Sequence, residues 1–333
     1  MEFLLQSKAK CALFFAVGGG GDVASAAMLA LATRRLGVKA YVASVAWERF
    51  IIDPVPGPIR LVEIVGGRQL GEYSMLVNGD ARALRGGREV AFQAVNASKA
   101  LREPIAVVDL YGGVSGVVKG LQEVLGYYGC DHLVSVDVGG DILATGFEDE
   151  LWSPLADFVG LVATAELGGV VAVHSPGADG ELSQEYILKR VALVAKKGGY
   201  LWARGVTIED VETLKHILSF IESEASKATL LAYAGLHGFA ELREGSRKTF
   251  VSPINLLTIF LNAKVVASLN PVVEVLKATK DLEHARRSLN MLGIFTELDL
   301  EEEVYKLIQS GAEITGEVLI NIKRKFRKEV SKG

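Results

Sequence analysis

Apolar, β-branched runs alternate with segments of helical periodicity along the first 207 residues. Each run ends in a turn rich in glycine and acidic residues, and most turns lead into a segment with apolar residues three or four positions apart. The runs are nearly continuous in apolar residues, which is typical of strands that are buried on both faces of a parallel sheet. The predicted strands cover residues 11–17, 40–45, 105–108, 133–136 and 170–173.

This alternation predicts an α/β protein with a doubly wound, mostly parallel, Rossmann-like sheet over residues 1–207. From about residue 208 the chain becomes mainly helical, and the longest apolar segment, residues 254–269, predicts a buried helix. No linker composition separates the two parts, so residues 208–333 are expected to pack as extra helices on the same core. The helices predicted in this part cover residues 208–225, 254–267, 271–278, 281–290 and 300–310.

The turns that follow the predicted strands are expected at one edge of the sheet. In open parallel sheets, ligands bind outside the carboxyl ends of the strands. The functional site is therefore expected where these glycine-rich, carboxylate-bearing turns meet.

The first turn reads Gly18-Gly19-Gly20-Gly21-Asp22 and is a candidate ligand-binding loop. Residues 19–24 fit the G-x-G-x-x-A spacing of a dinucleotide-binding turn, where glycines let a ligand approach the backbone and helix N–H groups attract anions. Two features weaken an NAD(P) interpretation: the strand ending at residue 45 lacks a terminal acidic residue for the ribose, and Asp22 would lie beside the pyrophosphate. A plain helix N-cap is the alternative for Asp22.

A second turn, Asp137-Val138-Gly139-Gly140-Asp141, follows the fourth predicted strand. Carboxylates this close repel each other, so they need a cation, a shared proton or hydroxyl partners. Asp137 and Asp141 are candidate ligands of Mg²⁺, with ligand phosphates completing the coordination and Gly139 and Gly140 allowing close approach. The alternative is structural, with an Asx turn at Asp137 and a cap at Asp141.

Asp109 and His174 end two further strands and are the candidate catalytic residues, each able to move a proton. Asp109 is expected to share a crevice with Asp22 and Asp137. For His174, a hydrogen-bonded structural role is the alternative.

Trp47, Glu48 and Arg49 follow the second strand and are further candidate ligand contacts. Trp47 would stack on a ring and Arg49 would pair with a phosphate, whereas core packing plus a surface ion pair is the alternative. Candidate contacts around a later turn are Arg247, Ser252 and Asn255.

Composition narrows the class of protein. Half of the 333 residues are hydrophobic, and 36 basic residues against 40 acidic ones give a net charge of −4, which argues against a dedicated nucleic-acid binder. Neither a signal peptide nor a membrane span is expected, and Cys11 and Cys130 are interpreted as small core residues in a reducing cytoplasm. Few Cys, Met and His residues and many Glu residues hint at a thermophile.

Several familiar catalytic motifs are absent from the sequence. There is no G-x-x-x-x-G-K-[ST] loop, no G-x-S-x-G elbow and no H-E-x-x-H pair. Their absence disfavours P-loop ATPase, serine-hydrolase and zinc-protease mechanisms.

Five further features of the sequence are the stretches 18–22, 46–49 with 53–58, 136–141, 153–157 and 179–182. Together they resemble the uncharacterised DUF1152 family, which is seen largely in archaea and some bacteria. The resemblance covers most of the chain and implies an archaeal or bacterial cytoplasmic protein that forms one coherent unit; it implies no activity.

The leading hypothesis is a Mg²⁺-dependent enzyme that acts on a nucleotide or phosphorylated metabolite. The first alternative is a non-catalytic ligand sensor or assembly module that uses the same crevice. The second is an NAD(P)-dependent oxidoreductase with a degenerate fingerprint. A homodimer is a further expectation, because the apolar C-terminal helices exceed what one core would cover.

Overall fold

A nine-stranded sheet forms the centre of the computed structural model, which describes residues 9–48, 50–53, 55–242 and 247–330. The strands of this sheet, in chain order, are β1 (Cys11–Ala16), β2 (Lys39–Val45), β4 (Arg68–Gln69), β5 (Ser74–Val77), β8 (Ile105–Val108), β9 (His132–Val138), β10 (Val170–His174), β11 (Tyr200–Gly205) and β14 (Leu257–Asn262). Their order across the sheet is β11-β14-β10-β9-β1-β2-β8-β5-β4. Two small sheets are formed by β3 (Ile64–Val65), β6 (Arg82–Arg85) and β7 (Arg88–Val90), and by β12 (Gly238–Leu242) and β13 (Arg247–Val251).

The five central strands are parallel. Strand β1 pairs with β2 on one side and with β9 on the other, and β8 and β10 extend the sheet outward in the same direction. Strand β14 runs antiparallel between β10 and β11, and β5 and β4 form an antiparallel edge at the other end. The predicted doubly wound, mostly parallel, Rossmann-like class is confirmed.

Helices cover both faces because the strands are apolar on both sides. All six residues of β1 are buried: Phe14 packs into one core layer and Phe15 into the other. The helices of the described ranges are α1 (Gly20–Arg34), α2 (Gln93–Leu101), α3 (Gly113–Tyr128), α4 (Pro154–Glu166), α5 (Gln184–Lys196), α6 (Ile208–Leu218), α7 (Glu224–Tyr233), α8 (Ala263–Ser268), α9 (Val273–Leu276), α10 (Leu282–Asn290), α11 (Glu297–Gln309) and α12 (Gly316–Val330). None of these is long and apolar enough to cross a membrane.

The topology creates one switch point. The chain leaves β1 toward β2 and β8, and later returns to the opposite side of β1 to form β9 and β10. The connections after β1 and after β9 therefore lead away from each other and open a crevice at the carboxyl ends of these two strands. The turns after β1 and β9 are those with the quadruple glycine and with Asp137 to Asp141.

One predicted helix is wrong. The apolar segment predicted as a helix over residues 254–267 instead forms a short 3₁₀ turn, the buried strand β14 and only then helix α8. A short apolar run is compatible with either a buried helix or a buried strand, because it lacks a period that separates them. Here β14 fills the gap between β10 and β11, so the C-terminal part contributes a strand to the central sheet.

The interpretation of the two cysteines also requires correction. Cys11, at the start of β1, and Cys130, just before β9, are joined by a disulfide, with their Cα atoms 4.3 Å apart. The adjacent parallel strands bring together residues 119 positions apart in sequence, which no local spacing reveals. Cysteine usage therefore does not argue for a reducing compartment.

Candidate functional site

The turns after β1 and β9 are joined through the side chain of Asp22. Its Oδ2 accepts a hydrogen bond from the backbone N–H of Gly18 at 2.8 Å, and its Oδ1 accepts one from Val138 at 2.8 Å. Asp22 lies in the first turn of α1, where a carboxylate is favoured by the helix dipole. Instead of capping its own helix, it crosses the switch point and fixes the two turns together.

Three carboxylates form a first cluster at this point. Asp22, Asp137 and Asp157 each place an oxygen within 4.8 Å of the other two, and all three residues are buried. Asp137 is the sixth residue of β9, and Asp157 lies in the first turn of α4. We call these residues the first trio.

A second trio lies on the loops after β9 and β10. Asp141, Asp179 and Glu181 again place one oxygen each within 4.8 Å of the others. Oε1 of Glu181 accepts hydrogen bonds from Ser153 Oγ at 2.8 Å and from the guanidinium of Arg247 at 2.7 Å. Arg247 brings a positive charge from β13 to this predominantly acidic site.

Burial and mutual repulsion favour the protonated form of these groups. Burial, together with the charge of a neighbouring carboxylate, raises the pKa of Asp22 to about 7 and that of Asp179 to about 6. The same two causes, burial first, raise the pKa of Asp137, Asp141 and Asp157 well above the ordinary aspartate value. A cation that binds here would replace these protons.

Two of the buried oxygens lack a hydrogen-bond partner. Among the described residues, Oδ1 of Asp141 and Oδ1 of Asp157 are enclosed yet receive no donor. Asp141 is 4% and Asp157 5% exposed. Leaving a buried acceptor unpaired costs about 1–3 kcal/mol, and each trio contains one such oxygen.

Glycines allow the carboxylates to approach the turns. Gly139 has a φ of +118°, and a Cβ there would lie 2.5 Å from Cγ of Asp179. A Cβ on Gly18 would lie 2.6 Å from Oδ2 of Asp22. These glycines are therefore required for packing of the acidic side chains, whereas the sequence interpretation assigned Gly18 and Gly139 to an approaching ligand.

A small cavity of about 90 Å³ adjoins the second trio. Gly20 and Gly21 line it at the start of α1, and Asp179 connects it to the second trio. Gly20 has a φ of +48°, and a Cβ there would meet no atom within 4 Å, so this glycine does border open space.

His174 is enclosed at the end of β10. Its Nδ1 lies 2.8 Å from Oγ1 of Thr258 and its Nε2 lies 3.0 Å from Oγ1 of Thr229, and burial lowers its pKa to about 4. The ring is neutral at pH 7 and both nitrogens are occupied. This geometry matches the structural alternative and does not favour His174 as a proton carrier.

Asp109 lies apart from both trios. It follows β8, three strands from β9, which corresponds to roughly 14 Å at the usual strand spacing. Its Oδ1 accepts a hydrogen bond from the backbone N–H of Tyr111 at 2.8 Å. The structure therefore does not bring Asp109 into the crevice of Asp22 and Asp137.

The segment after β2 is divided between the core and the cavity. Trp47 is buried and its Nε1 donates to both carboxylate oxygens of Glu301 at 3.0 Å, so its ring packs inside the protein. Glu48 lines the cavity and accepts a hydrogen bond from the backbone N–H of Gln93 at 2.8 Å. Arg49 lies outside the described residues.

Of the later candidates, Arg247 reaches the second trio. Ser252 and Asn255 instead brace neighbouring loops: Ser252 Oγ donates to Gln184 Oε1 at 2.8 Å, and Asn255 Nδ2 donates to Ser175 Oγ at 3.1 Å.

Sequence reasoning missed Asp157 and gave Asp179 and Glu181 no role in a metal site. Asp157 carried one local signal: it is the acidic residue in the segment 154–165, which is otherwise almost entirely apolar. Asp179 and Glu181 follow β10 at spacings that also occur in plain turns, so only the topology identifies them.

Comparison with family models gives one match. The model described as "Protein of unknown function (DUF1152)" matches residues 13–305, which include both trios and the cavity. Searches of curated proteins and of solved structures gave no match. The match spans most of the 333 residues, and the chain therefore belongs to the DUF1152 family.

Proposed function

We propose that the protein is a Mg²⁺-dependent enzyme that acts on a nucleotide or another phosphorylated metabolite at the switch point of its sheet. The observation that carries this proposal is the pair of carboxylate trios, together with the unpartnered buried oxygens of Asp141 and Asp157.

The spacing of the trio oxygens suits a hard divalent cation. Mg²⁺ binds oxygen ligands at about 2.1 Å in octahedral geometry, which places neighbouring ligand oxygens about 3.0 Å apart and opposite ones about 4.2 Å apart. The oxygens of each trio lie within 4.8 Å of one another, so small side-chain movements would bring three of about six ligands into place. Carboxylates without sulfur or imidazole favour Mg²⁺, Mn²⁺ or Ca²⁺ over Zn²⁺.

The acidic surroundings explain why a phosphate would need the cation. Two clusters of carboxylates repel a bare anion, and Arg247 is already paired with Glu181. A bound divalent cation would supply charge neutralisation and activation of a water molecule or phosphoryl group. Asp22, Asp137 and Asp157 would hold it, and the phosphate would bind through the cation.

A thermal-shift panel tests this proposal. Melting temperature is measured with Mg²⁺, Mn²⁺ or Ca²⁺, with and without nucleotides and sugar phosphates, followed by assay of phosphate release. We expect the cation alone to raise the melting temperature and a phosphorylated ligand to raise it further only when the cation is present. Absence of any cation effect would reject the proposal.

A non-catalytic sensor is the second candidate. It is favoured by the positions of His174 and Asp109, because the described residues that were expected to move a proton do not face the trios. Cation-dependent ligand binding without turnover would support the non-catalytic sensor over the enzyme. An NAD(P) oxidoreductase has only the G-x-G-x-x-A spacing in its favour, and absence of a difference spectrum with NADH would exclude it.

A further inference from the structure

The cavity beside Asp179 lies at the start of three helices. Helix α1 begins there with Gly20 and Gly21, α2 begins with Gln93, and α7 begins with Glu224. Helix N-termini carry backbone N–H groups without intrahelical partners and a partial positive charge. Two first-turn N–H groups are already paired, that of Gln93 with Glu48 and that of Ser226 with Ser223 Oγ, so the backbone donors left for a ligand are those of the other first-turn residues.

Side chains around the same cavity offer acceptors. The carboxylate-bearing lining residues are Glu48, Asp179, Glu222 and Glu224. Glu48 accepts from the backbone N–H of Gln93 and so already neutralises the start of α2. Donors and acceptors thus lie side by side, with neither a purely positive nor a purely negative wall.

Gln93 supplies a second, independent observation. It lines the cavity and is 3% exposed, and in the part of the chain that the structure covers its Oε1 receives no hydrogen bond. Its Nε2 makes only a long contact of 3.5 Å to the backbone oxygen of Glu222. A buried amide oxygen without a donor points to a ligand that brings one.

We propose that this cavity binds vicinal hydroxyl groups of a sugar or polyol, as part of the phosphorylated ligand. The proposal rests on the proposed function for the phosphate end of that ligand. A hydroxyl both donates and accepts, so a diol satisfies the amide oxygen of Gln93, the carboxylates and the helix N–H groups together. An ammonium group has no acceptor for the helix N–H groups, and an apolar group would leave Gln93 unpaired.

Size and position agree with this assignment. The volume of about 90 Å³ is well below the roughly 300–1,000 Å³ of pockets that hold whole ligands, so the cavity takes one part of a ligand. Asp179 belongs both to the cavity lining and to the second trio. A phosphate at the trios would therefore leave the hydroxyl-bearing carbons of the same molecule at the cavity.

The test compares ligands that differ only in hydroxyl groups, by calorimetric titration in the presence of Mg²⁺. The pairs are glycerol 3-phosphate with propyl phosphate, and ribose 5-phosphate with 2-deoxyribose 5-phosphate. We expect the diol-bearing member of each pair to bind about 10-fold or more tightly, as for one or two buried hydrogen bonds. The variant Gln93→Leu should reduce this preference, and Gln309→Leu, on the exposed end of α11, should retain it.

The outcomes separate the two proposals. Equal affinity within both pairs, or an unchanged preference in Gln93→Leu, overturns the hydroxyl assignment and leaves Mg²⁺-dependent phosphate binding intact. Absence of binding by all four phosphates overturns both. The comparison on the unmodified protein does not depend on whether Gln93→Leu folds.

Discussion

Asp157 illustrates the site at the scale of single residues. Its carboxyl group is buried in the first turn of α4, faces Asp22 and Asp137, and carries an oxygen without a partner among the described residues. Burial raises its pKa, so at neutral pH the folded protein must either hold a proton there or enclose a charge. Such a residue destabilises the metal-free fold, as functional residues often do.

Replacing this carboxyl group should therefore stabilise the metal-free protein. We expect Asp157→Asn to raise the melting temperature in EDTA, by about 2 °C for each 1 kcal/mol gained. The same change should abolish or greatly reduce the stabilisation by Mg²⁺, because the amide is a poor substitute for an anionic ligand. The control is Asp80→Asn on the exposed surface, which should alter neither quantity.

A lower melting temperature of Asp157→Asn in EDTA would instead show that Asp157 stabilises the fold. Calorimetric titration of both variants with Mg²⁺ separates loss of binding from loss of folding.

The buried carboxyl groups also predict how stability depends on pH. Burial raises the pKa of Asp22 to about 7, that of Glu301 to about 7 and that of Glu297 to about 8. An acid with a raised folded pKa stabilises the fold below its unfolded pKa, near 4, and loses that contribution as pH rises through the folded value. The pKa of His174 is lowered from 6.5 to about 4, so its effect on stability has the opposite sign: its contribution to the stability of the fold grows as pH rises between these two values.

Several buried acids lose their contribution to stability as pH rises, and only one histidine gains one. The stability of the metal-free protein should therefore fall as pH rises from about 5.5 to 8. The measurement is the melting temperature in EDTA at these two pH values, repeated with Mg²⁺. The cation should reduce the loss at pH 8, since it replaces the protons. An equal or higher melting temperature at pH 8 in EDTA would contradict the assigned carboxyl states.

At the scale of elements, helix α12 supports the loop that carries the second trio's contacts. Lys323 is 5% exposed, donates from Nζ to the backbone oxygens of Asp149, at 2.8 Å, and Leu151, and lies 4.4 Å from the centroid of the Trp152 ring. The next two backbone N–H groups, those of Trp152 and Ser153, donate to Glu181. Lys323 thereby couples α12 to the site, and Arg327 of the same helix also contacts Asp149.

Removing this contact should weaken both the fold and the site. We expect Lys323→Met to lower the free energy of unfolding by about 1–3 kcal/mol, because two backbone oxygens lose a charged donor. Urea denaturation measures this loss, and titration with Mg²⁺ should show reduced affinity. Lys325→Met, on the exposed side of the same helix, should change stability by less than about 0.5 kcal/mol. Equal results for the two variants would refute the coupling.

Helices and strands whose apolar residues follow a clear period along the sequence were predictable, and those without such a period were not. The residues of β1 and α1 change from a continuous apolar run to helical spacing across four glycines, so the strand, turn and helix are all apparent in the sequence. The run over residues 254–269 has no such change, and its strand is imposed by the gap between β10 and β11. Strand β11 was not predicted either; it is an edge strand with partly exposed residues.

At the scale of the whole molecule, the edge of the sheet that carries the site was predictable from the sequence. The set of residues that form the site was not. Alternating strands and helices identify the carboxyl ends of β1 and β9, which bring Asp22 and Asp137 together. Whether another residue joins them depends on strand order, which places Asp109 three strands away, and on helix packing, which delivers Asp157. Neither the strand order nor the helix packing can be inferred from the spacing of residues along the chain.

Anomalous diffraction from crystals grown with Mn²⁺ tests whether the first trio binds a divalent cation. We predict an anomalous peak about 2.2 Å from carboxylate oxygens of Asp22, Asp137 and Asp157, absent from crystals of Asp157→Asn. A trio without anomalous signal at saturating Mn²⁺, or a peak only at the protein surface, would show that these carboxylates do not form a cation site.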